Sequence, residues 1–71
     1  MTATTKELVL RALCYMRGDD YERAKRVFSH CTPEQMQEVW SGNGETRQQV
    51  LDGYRVRVEA IDTAVAEVKS L

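Results

Sequence analysis

The chain has 71 residues, of which 42% are hydrophobic and 30% are charged, and its formal net charge is -1 at pH 7. This length leaves room for a single domain, residues 1–71, whose core rarely supplies more than about 3–5 kcal/mol of stability unless the chain is cross-linked or oligomeric. The balanced charge gives no global positive field for nucleic acid, and without an apolar run of roughly 20 residues or a signal-peptide pattern we expect a cytoplasmic protein that binds no membrane.

The first predicted helix covers about residues 5–17. Thr4 and Glu7 have the spacing of a capping box at its start, and Gly18 follows its last residue as a left-handed C-terminal position. Between Glu7 and Met16 only Glu7 and Arg11 are charged, so the polar stripe is narrow and runs through these two residues and Cys14. A helix this apolar is usually buried on more than one side. We therefore expect it to pack on the last helix and also to reach a second subunit.

Two shorter helices are predicted next, over about residues 20–31 and 33–40. The first is amphipathic, with charged residues on one side and apolar residues on the other, namely Tyr21, Ala24, Val27, Phe28 and Cys31. Thr32 and Gln35 form a capping box at the start of the second. The run SGNG at residues 41–44 separates the short helices from the rest, because it is the strongest break in the sequence.

The last predicted helix, about residues 46–69, has the longest regular apolar pattern in the chain. Thr46 and Gln49 form a capping box at its start, and Gly53 within it indicates a close backbone approach. Apolar residues at spacings of three and four lie on one face and form a seam: Leu51, Tyr54, Val58, Ile61, Val65 and Val68. Since no alternating strand pattern is present, the predicted fold class is all-α, a helical bundle with three short helices packed on one long C-terminal helix.

This seam is the predicted dimer interface. A helix of the predicted length spans on the order of 35 Å, whereas each short helix covers about 15 Å. The short helices would leave part of the seam exposed, so we predict a homodimer that is held together by the six seam residues. The alternative is a closed monomeric bundle in which the seam is internal.

The second helix also resembles part of a tetratricopeptide repeat. The run Asp20, Tyr21, Glu22, Arg23, Ala24, with Phe28 and Cys31 four and seven residues after Ala24, is similar to the second helix of that repeat. The resemblance implies that the first two helices pack as a hairpin. It implies no peptide-binding groove, because the grooves of that family require several stacked repeats.

The segment from Met36 to Leu51 resembles a helix-turn-helix in outline, with a short helix, a Gly-containing turn and a second helix. This second helix begins with Thr46, Arg47, Gln48 and Gln49, which are residue types that contact phosphates and base edges. The resemblance implies a DNA-binding regulator, with Arg55 and Arg57 as further contacts. DNA binding is the alternative function, because the same polar residues also make an ordinary helix cap.

The sequence predicts no catalytic or metal site. His30 is the only histidine, and together with Cys14 and Cys31 it offers three possible ligands where structural zinc takes four. Glu34 and Glu38 lie one helical turn apart, but no histidine, nucleophile or phosphate-binding loop stands beside them in sequence. We therefore expect no enzyme activity and no cofactor, and we expect the cysteines to be reduced.

The predicted function is that of a small protein-interaction module, an adaptor, inhibitor or accessory factor that acts through a helical surface. Large aromatic residues dominate interface hot spots, and arginines steer charged partners. The expected contacts with an unidentified partner protein are Arg23, Arg26, Trp40, Arg47 and Tyr54. Two structural alternatives remain open: the arginines of the second helix fit an ordinary solvated face, and Trp40 fits the lid of a monomer core.

Overall fold

A computed structural model describes all 71 residues, and helices are its only regular secondary structure. They are α1 (Ala3–Arg17), α2 (Asp20–Phe28), α3 (Pro33–Met36) and α4 (Arg47–Lys69). The single β contact is an isolated antiparallel bridge between Val39 and Thr46. The predicted all-α fold class, with three shorter helices and one long C-terminal helix, is confirmed.

Helix α1 begins and ends at residues with defined capping roles. The N-cap is Thr2, whose hydroxyl oxygen accepts a hydrogen bond from the Thr5 backbone N–H at 3.1 Å. The predicted cap at Thr4 is therefore wrong, because the equivalent side chain two residues earlier extends the helix. At the other end Gly18 has a φ of +57°, which a residue with a Cβ rarely adopts, so the predicted stop at this glycine is confirmed.

The capping boxes predicted for α3 and α4 are both present. At α3 the Gln35 N–H donates to the Thr32 hydroxyl (3.2 Å) and the Thr32 N–H donates to the Gln35 side chain (2.8 Å). At α4 the Gln49 N–H donates to the Thr46 hydroxyl (3.1 Å) and the Thr46 N–H donates to the Gln49 side chain (2.9 Å). Each box satisfies two backbone donors that the helix itself leaves without acceptors.

Both middle helices are shorter than predicted. Helix α2 ends at Phe28 and not near residue 31, because the Ser29 hydroxyl donates to the Arg26 carbonyl at 2.7 Å and competes with further helix growth. Helix α3 ends at Met36 and not near residue 40, because the chain after it turns back on itself at the bridge described above. Both predicted C-terminal ends are therefore too late, α2 because of a local side-chain bond and α3 because of contacts beyond the helix.

The chain forms two compact units, and α4 contributes residues to both. They are the terminal unit, Met1–Gly18 with Arg57–Leu71, and the central unit, Asp19–Val56. The terminal unit buries Val58 and Ile61, and the central unit buries Ala24 and Phe28. The single domain expected from the chain length stays a prediction.

In the terminal unit, α1 and the C-terminal part of α4 run antiparallel, and each provides a cation to the end of the other. Lys6 Nζ donates to the carbonyl oxygens of Lys69 (2.9 Å) and Leu71 (3.2 Å). Arg57 donates to the carbonyl oxygen of Met16 at 2.8 Å. Carbonyls at a helix C-terminus have no intrahelical donor and carry partial negative charge. Each cation therefore supplies the missing hydrogen bonds and also interacts favourably with the helix dipole.

The structure places the seam of α4 against the chain's own residues. Val58 is 6% exposed and Ile61 is 7% exposed, and the other four seam residues, Leu51, Tyr54, Val65 and Val68, are half-buried. Helix α1 is the only other helix of the terminal unit, and its contacts with this part of α4 include Arg17 with Asp62 and Met16 with Arg57. A homodimer that keeps this fold cannot use these two side chains as its contact. The homodimer itself, and a role for the other four seam residues in its interface, stay predictions.

Candidate partner-binding surface

Trp40 is held in place by the segment that joins α3 to α4. Its backbone N–H donates to the Glu45 carbonyl at 2.7 Å, and the Arg47 N–H donates to the Glu38 carbonyl at 3.2 Å, so this segment folds back on itself. The indole ring then lies edge-to-face with the ring of Phe28, with 5.4 Å between centroids and 85° between planes. This arrangement is one of the favoured geometries for an aromatic pair.

Arg47 fixes the other side of the indole. Its guanidinium carbon lies 4.9 Å from the centroid of the Trp40 ring, within the range of a cation–π contact. The same guanidinium donates to the Gln35 carbonyl at 2.8 Å and to the Glu38 carboxylate at 3.2 Å. With four-fifths of its side chain covered, Arg47 is part of the wall that holds Trp40 and does not project freely toward a partner.

An open pocket of about 190 Å³ lies beside Trp40, and we call it the Trp40 pocket. Its lining residues, all in the central unit, are Asp20, Arg23, Ala24, Val27, Phe28, Trp40, Val50 and Tyr54. Ala24 and Phe28 are buried beneath it, whereas Trp40 is 52% exposed and Val27 is 57% exposed. The pocket therefore has a rigid apolar floor and exposed apolar walls.

The rim of the pocket is charged but close to neutral. One nitrogen of Arg23 lies 3.1 Å from each carboxylate oxygen of Asp19, and a second nitrogen lies 3.9 Å from Asp20. These side chains are half-exposed or more, so water screens the ion pairs and each contributes little stability. The rim does not select a strongly charged ligand, which leaves the apolar interior as the main feature for recognition.

The structure brings together four of the five predicted contact residues. Arg23, Trp40 and Tyr54 line the Trp40 pocket, and Arg47 packs on Trp40. Arg26 does not belong to this set, because it borders a different concavity with Glu22, Lys25 and Ser29. The predicted contacts did not include the pocket residues Asp20, Ala24, Val27, Phe28 and Val50. The helical spacing of Ala24, Val27 and Phe28 identified an apolar face, but no local signal indicated that Trp40 packs against it.

The alternative DNA-binding function depends on six side chains, those of Thr46, Arg47, Gln48, Gln49, Arg55 and Arg57. Each has a partner within the chain. Thr46 and Gln49 cap α4, Gln48 donates to Asp52 at 3.0 Å, and Arg55 lies 3.6 Å from the same carboxylate. Arg47 and Arg57 hold Trp40 and the end of α1, as described above. DNA binding by this set stays a prediction.

The outline of a helix-turn-helix is also absent. That motif joins its two helices by a turn of about three to four residues. Here ten residues, 37–46, separate α3 from α4, and α3 has only four residues. The predicted resemblance is wrong because the third helix ends early and the following residues pair with each other.

The structure does not bring the candidate metal ligands together. No three His, Cys, Asp or Glu side chains come close enough together to hold a metal ion. His30 is exposed, and Cys14 and Cys31 are free thiols. No helix combines the length and the apolar character needed to cross a membrane.

Comparison of the chain with protein families, curated proteins and solved structures finds no match. Its function must therefore be argued from its own residues.

Proposed function

We propose that this chain is a small cytoplasmic protein-interaction module, an adaptor, inhibitor or accessory factor without enzyme activity, that binds another protein through the Trp40 pocket. The observation that carries the proposal is the half-exposed Trp40 above a buried Phe28. A tryptophan that only closed the core would hide most of its ring. This one presents half of its surface to solvent beside a concavity with further exposed apolar side chains.

The free energy of burial favours Trp40 as an anchor. Burying the exposed half of an indole removes roughly 100 Å² from water, which is worth about 2–3 kcal/mol. Phe28 and Arg47 already hold the ring, so binding costs little additional side-chain entropy. Tryptophan beside arginine in a desolvated pocket is the typical composition of an interface hot spot.

The pocket also indicates the chemistry of the partner. A protein cavity of about 150 Å³ holds a benzene-sized group, so a pocket of about 190 Å³ has room for one aromatic or large aliphatic side chain. The nearly neutral rim requires no strong opposite charge on the partner. The proposed ligand is therefore a protein segment that inserts one bulky apolar side chain between α2 and the N-terminal part of α4.

A peptide-display selection on the full chain tests this proposal. Trp40 is the only tryptophan, so its fluorescence reports directly on the pocket. Selected peptides should carry a shared bulky apolar residue, shift the Trp40 emission to the blue, and lose at least about tenfold in affinity for Val27→Glu and Tyr54→Ala variants. Val27→Glu is informative because Val27 is exposed, so the charge enters the pocket without disturbing the buried floor.

Arg26→Ala is the matched control, because Arg26 lies on α2 outside the pocket. Peptides whose affinity falls equally with Arg26→Ala, or is insensitive to both pocket variants, would reject the Trp40 pocket as the site.

Filter binding with mixed duplex DNA tests the alternative function. Retention at low salt that falls steeply as salt rises would replace the proposal with DNA binding. The homodimer remains part of the proposed function.

A further inference from the structure

The outer face of α1 is an apolar stripe that nothing in the chain covers. Thr5, Leu8, Ala12 and Tyr15 follow one another at spacings of three, four and three residues, and all four are exposed. We call these four residues the α1 stripe. Leu8 is 59% exposed and Tyr15 is 90% exposed, and Met16 at the border is 52% exposed. Apart from the two chain ends, these three are the large exposed apolar residues of the terminal unit.

We propose that the α1 stripe pairs with the α1 stripe of a second copy of this chain, with the two helices antiparallel. With a two-fold axis near Leu10, Leu8 lies opposite Ala12 of the second copy, and Tyr15 lies opposite Thr5 of the second copy. Each large side chain then meets a small one, which lets the helices approach closely. A parallel pair would instead place Tyr15 against Tyr15 and Ala12 against Ala12, with crowding at one level and a gap at the next.

The charges at the border of the stripe also favour the antiparallel pair. Glu7 and Arg11 lie one turn apart on the same flank, and neither has an ion-pair partner within the chain. In the antiparallel pair the flank of one copy meets the same flank of the other. The four side chains then form a neutral cluster in which each carboxylate lies near a guanidinium of the other copy.

This inference names the surface for the homodimer part of the proposed function and is independent of the Trp40 pocket. Sedimentation equilibrium of the full chain, from low to high micromolar concentration, should show a monomer of 8.1 kDa converting to twice that mass. A mass of 8.1 kDa throughout this range would overturn the proposal. Peptide binding at Trp40 would still be expected of such a monomer, so the two proposals fail separately.

Variants locate the interface. Leu8→Glu combined with Tyr15→Glu should abolish the dimer, because it would place four carboxylates in the apolar contact between the helices, while far-UV circular dichroism stays unchanged since both positions are exposed. Val56→Glu is the matched control, because Val56 is a 59% exposed apolar residue outside α1. A dimer that survives the double variant, or one that Val56→Glu weakens equally, would show that a different surface is used.

Disulfide cross-linking determines the orientation, in a chain with Cys14→Ser and Cys31→Ser. The antiparallel pair predicts that Leu8→Cys with Ala12→Cys gives covalent dimers, whereas Leu8→Cys alone gives few. Efficient cross-linking by Leu8→Cys alone would overturn the antiparallel arrangement. Arg11→Glu should weaken the dimer roughly two- to fivefold, and adding Glu7→Arg should restore it. Failure of the charge exchange to restore affinity would remove the proposed cluster.

Discussion

The terminal and central units have equally small cores but are held together differently. Each buries two apolar side chains. In the terminal unit the polar contacts between helices join residues far apart in the chain, such as Lys6 with Lys69 and Arg57 with Met16. In the central unit the contacts around Trp40 join residues at most about a dozen positions apart, such as Phe28 with Trp40 and Gln35 with Arg47.

This difference explains where each unit presents its apolar surface. Two long antiparallel helix segments can cover only one face of each other, so the outer face of α1 stays exposed along its length. The short helices of the central unit instead leave a concave gap where α2 meets the start of α4. The terminal unit therefore has the geometry of a helix-pairing surface, and the central unit has the geometry of a pocket for one side chain.

Replacing Ile61 with Lys should have the largest effect on the terminal unit. Ile61 is 7% exposed, so the ammonium would be buried without a partner at a cost of several kcal/mol, comparable to the total stability of so small a chain. The helical circular-dichroism signal should no longer melt cooperatively. Val56→Lys on the exposed side of α4 should change stability by less than about 0.5 kcal/mol. If Ile61→Lys instead folds normally and only lowers the solution mass, Ile61 lies between subunits and not within one.

Phe28→Ala is the corresponding change in the central unit. Removing this buried ring should lower the free energy of unfolding by about 3–5 kcal/mol, because it leaves a cavity in the core. The substitution also removes the edge-to-face partner of Trp40. Hydrogen exchange should then show faster exchange for amides of residues 19–56 than for those of α1, and Trp40 emission should shift to the red. Phe28→Leu should have a smaller effect of the same sign. Equal loss of protection in both units would mean that they unfold as one.

The features predictable from the sequence are those that depend on neighbours along the chain. The capping boxes at Thr32 and Thr46, the stop at Gly18 and the all-α class all follow from residues within four positions of one another. The apolar spacing of α4 also identified the correct covered face, since Val58 and Ile61 are its buried residues. Spacing does not indicate which polypeptide does the covering, so the same pattern is compatible with the predicted dimer and with the alternative, a closed chain.

The features that could not be predicted depend on contacts between distant residues. The early end of α3 depends on Trp40 pairing with Glu45 and packing on Phe28. Four of the five predicted contact residues lie around the Trp40 pocket. They were predicted from residue type alone, and their proximity depends on the fold of the segment between α3 and α4. Sequence therefore indicated which side chains could bind a partner, whereas the structure was needed to separate Arg26 from the rest.

The same substitution at two glycines should have opposite effects in the two units. A Cβ at Gly53 in α4 would meet no atom within 4 Å, so the close backbone approach predicted there is wrong. Gly53→Ala should raise the free energy of unfolding by up to about 1 kcal/mol, because alanine favours the helix. Gly18→Ala should lower it by about 1 kcal/mol, because the φ of +57° is strained for alanine. Urea titrations measure both, and a loss of stability with Gly53→Ala would show that the helix needs flexibility there.

Lys6→Met should have the smallest effect and tests the cation contacts that distinguish the terminal unit. Lys6 Nζ binds the carbonyls of Lys69 and Leu71, so its loss removes a charge from the negative end of the α4 dipole, worth about 0.3–1 kcal/mol. The methionine keeps most of the aliphatic length, and Lys6→Arg, which keeps the charge, should retain most of the stability. Added salt should shrink the difference between Lys6→Met and the unaltered chain, because screening weakens the dipole interaction. A difference that salt leaves unchanged would instead assign the contribution of Lys6 to packing of its stem, and the two units would then differ in geometry alone.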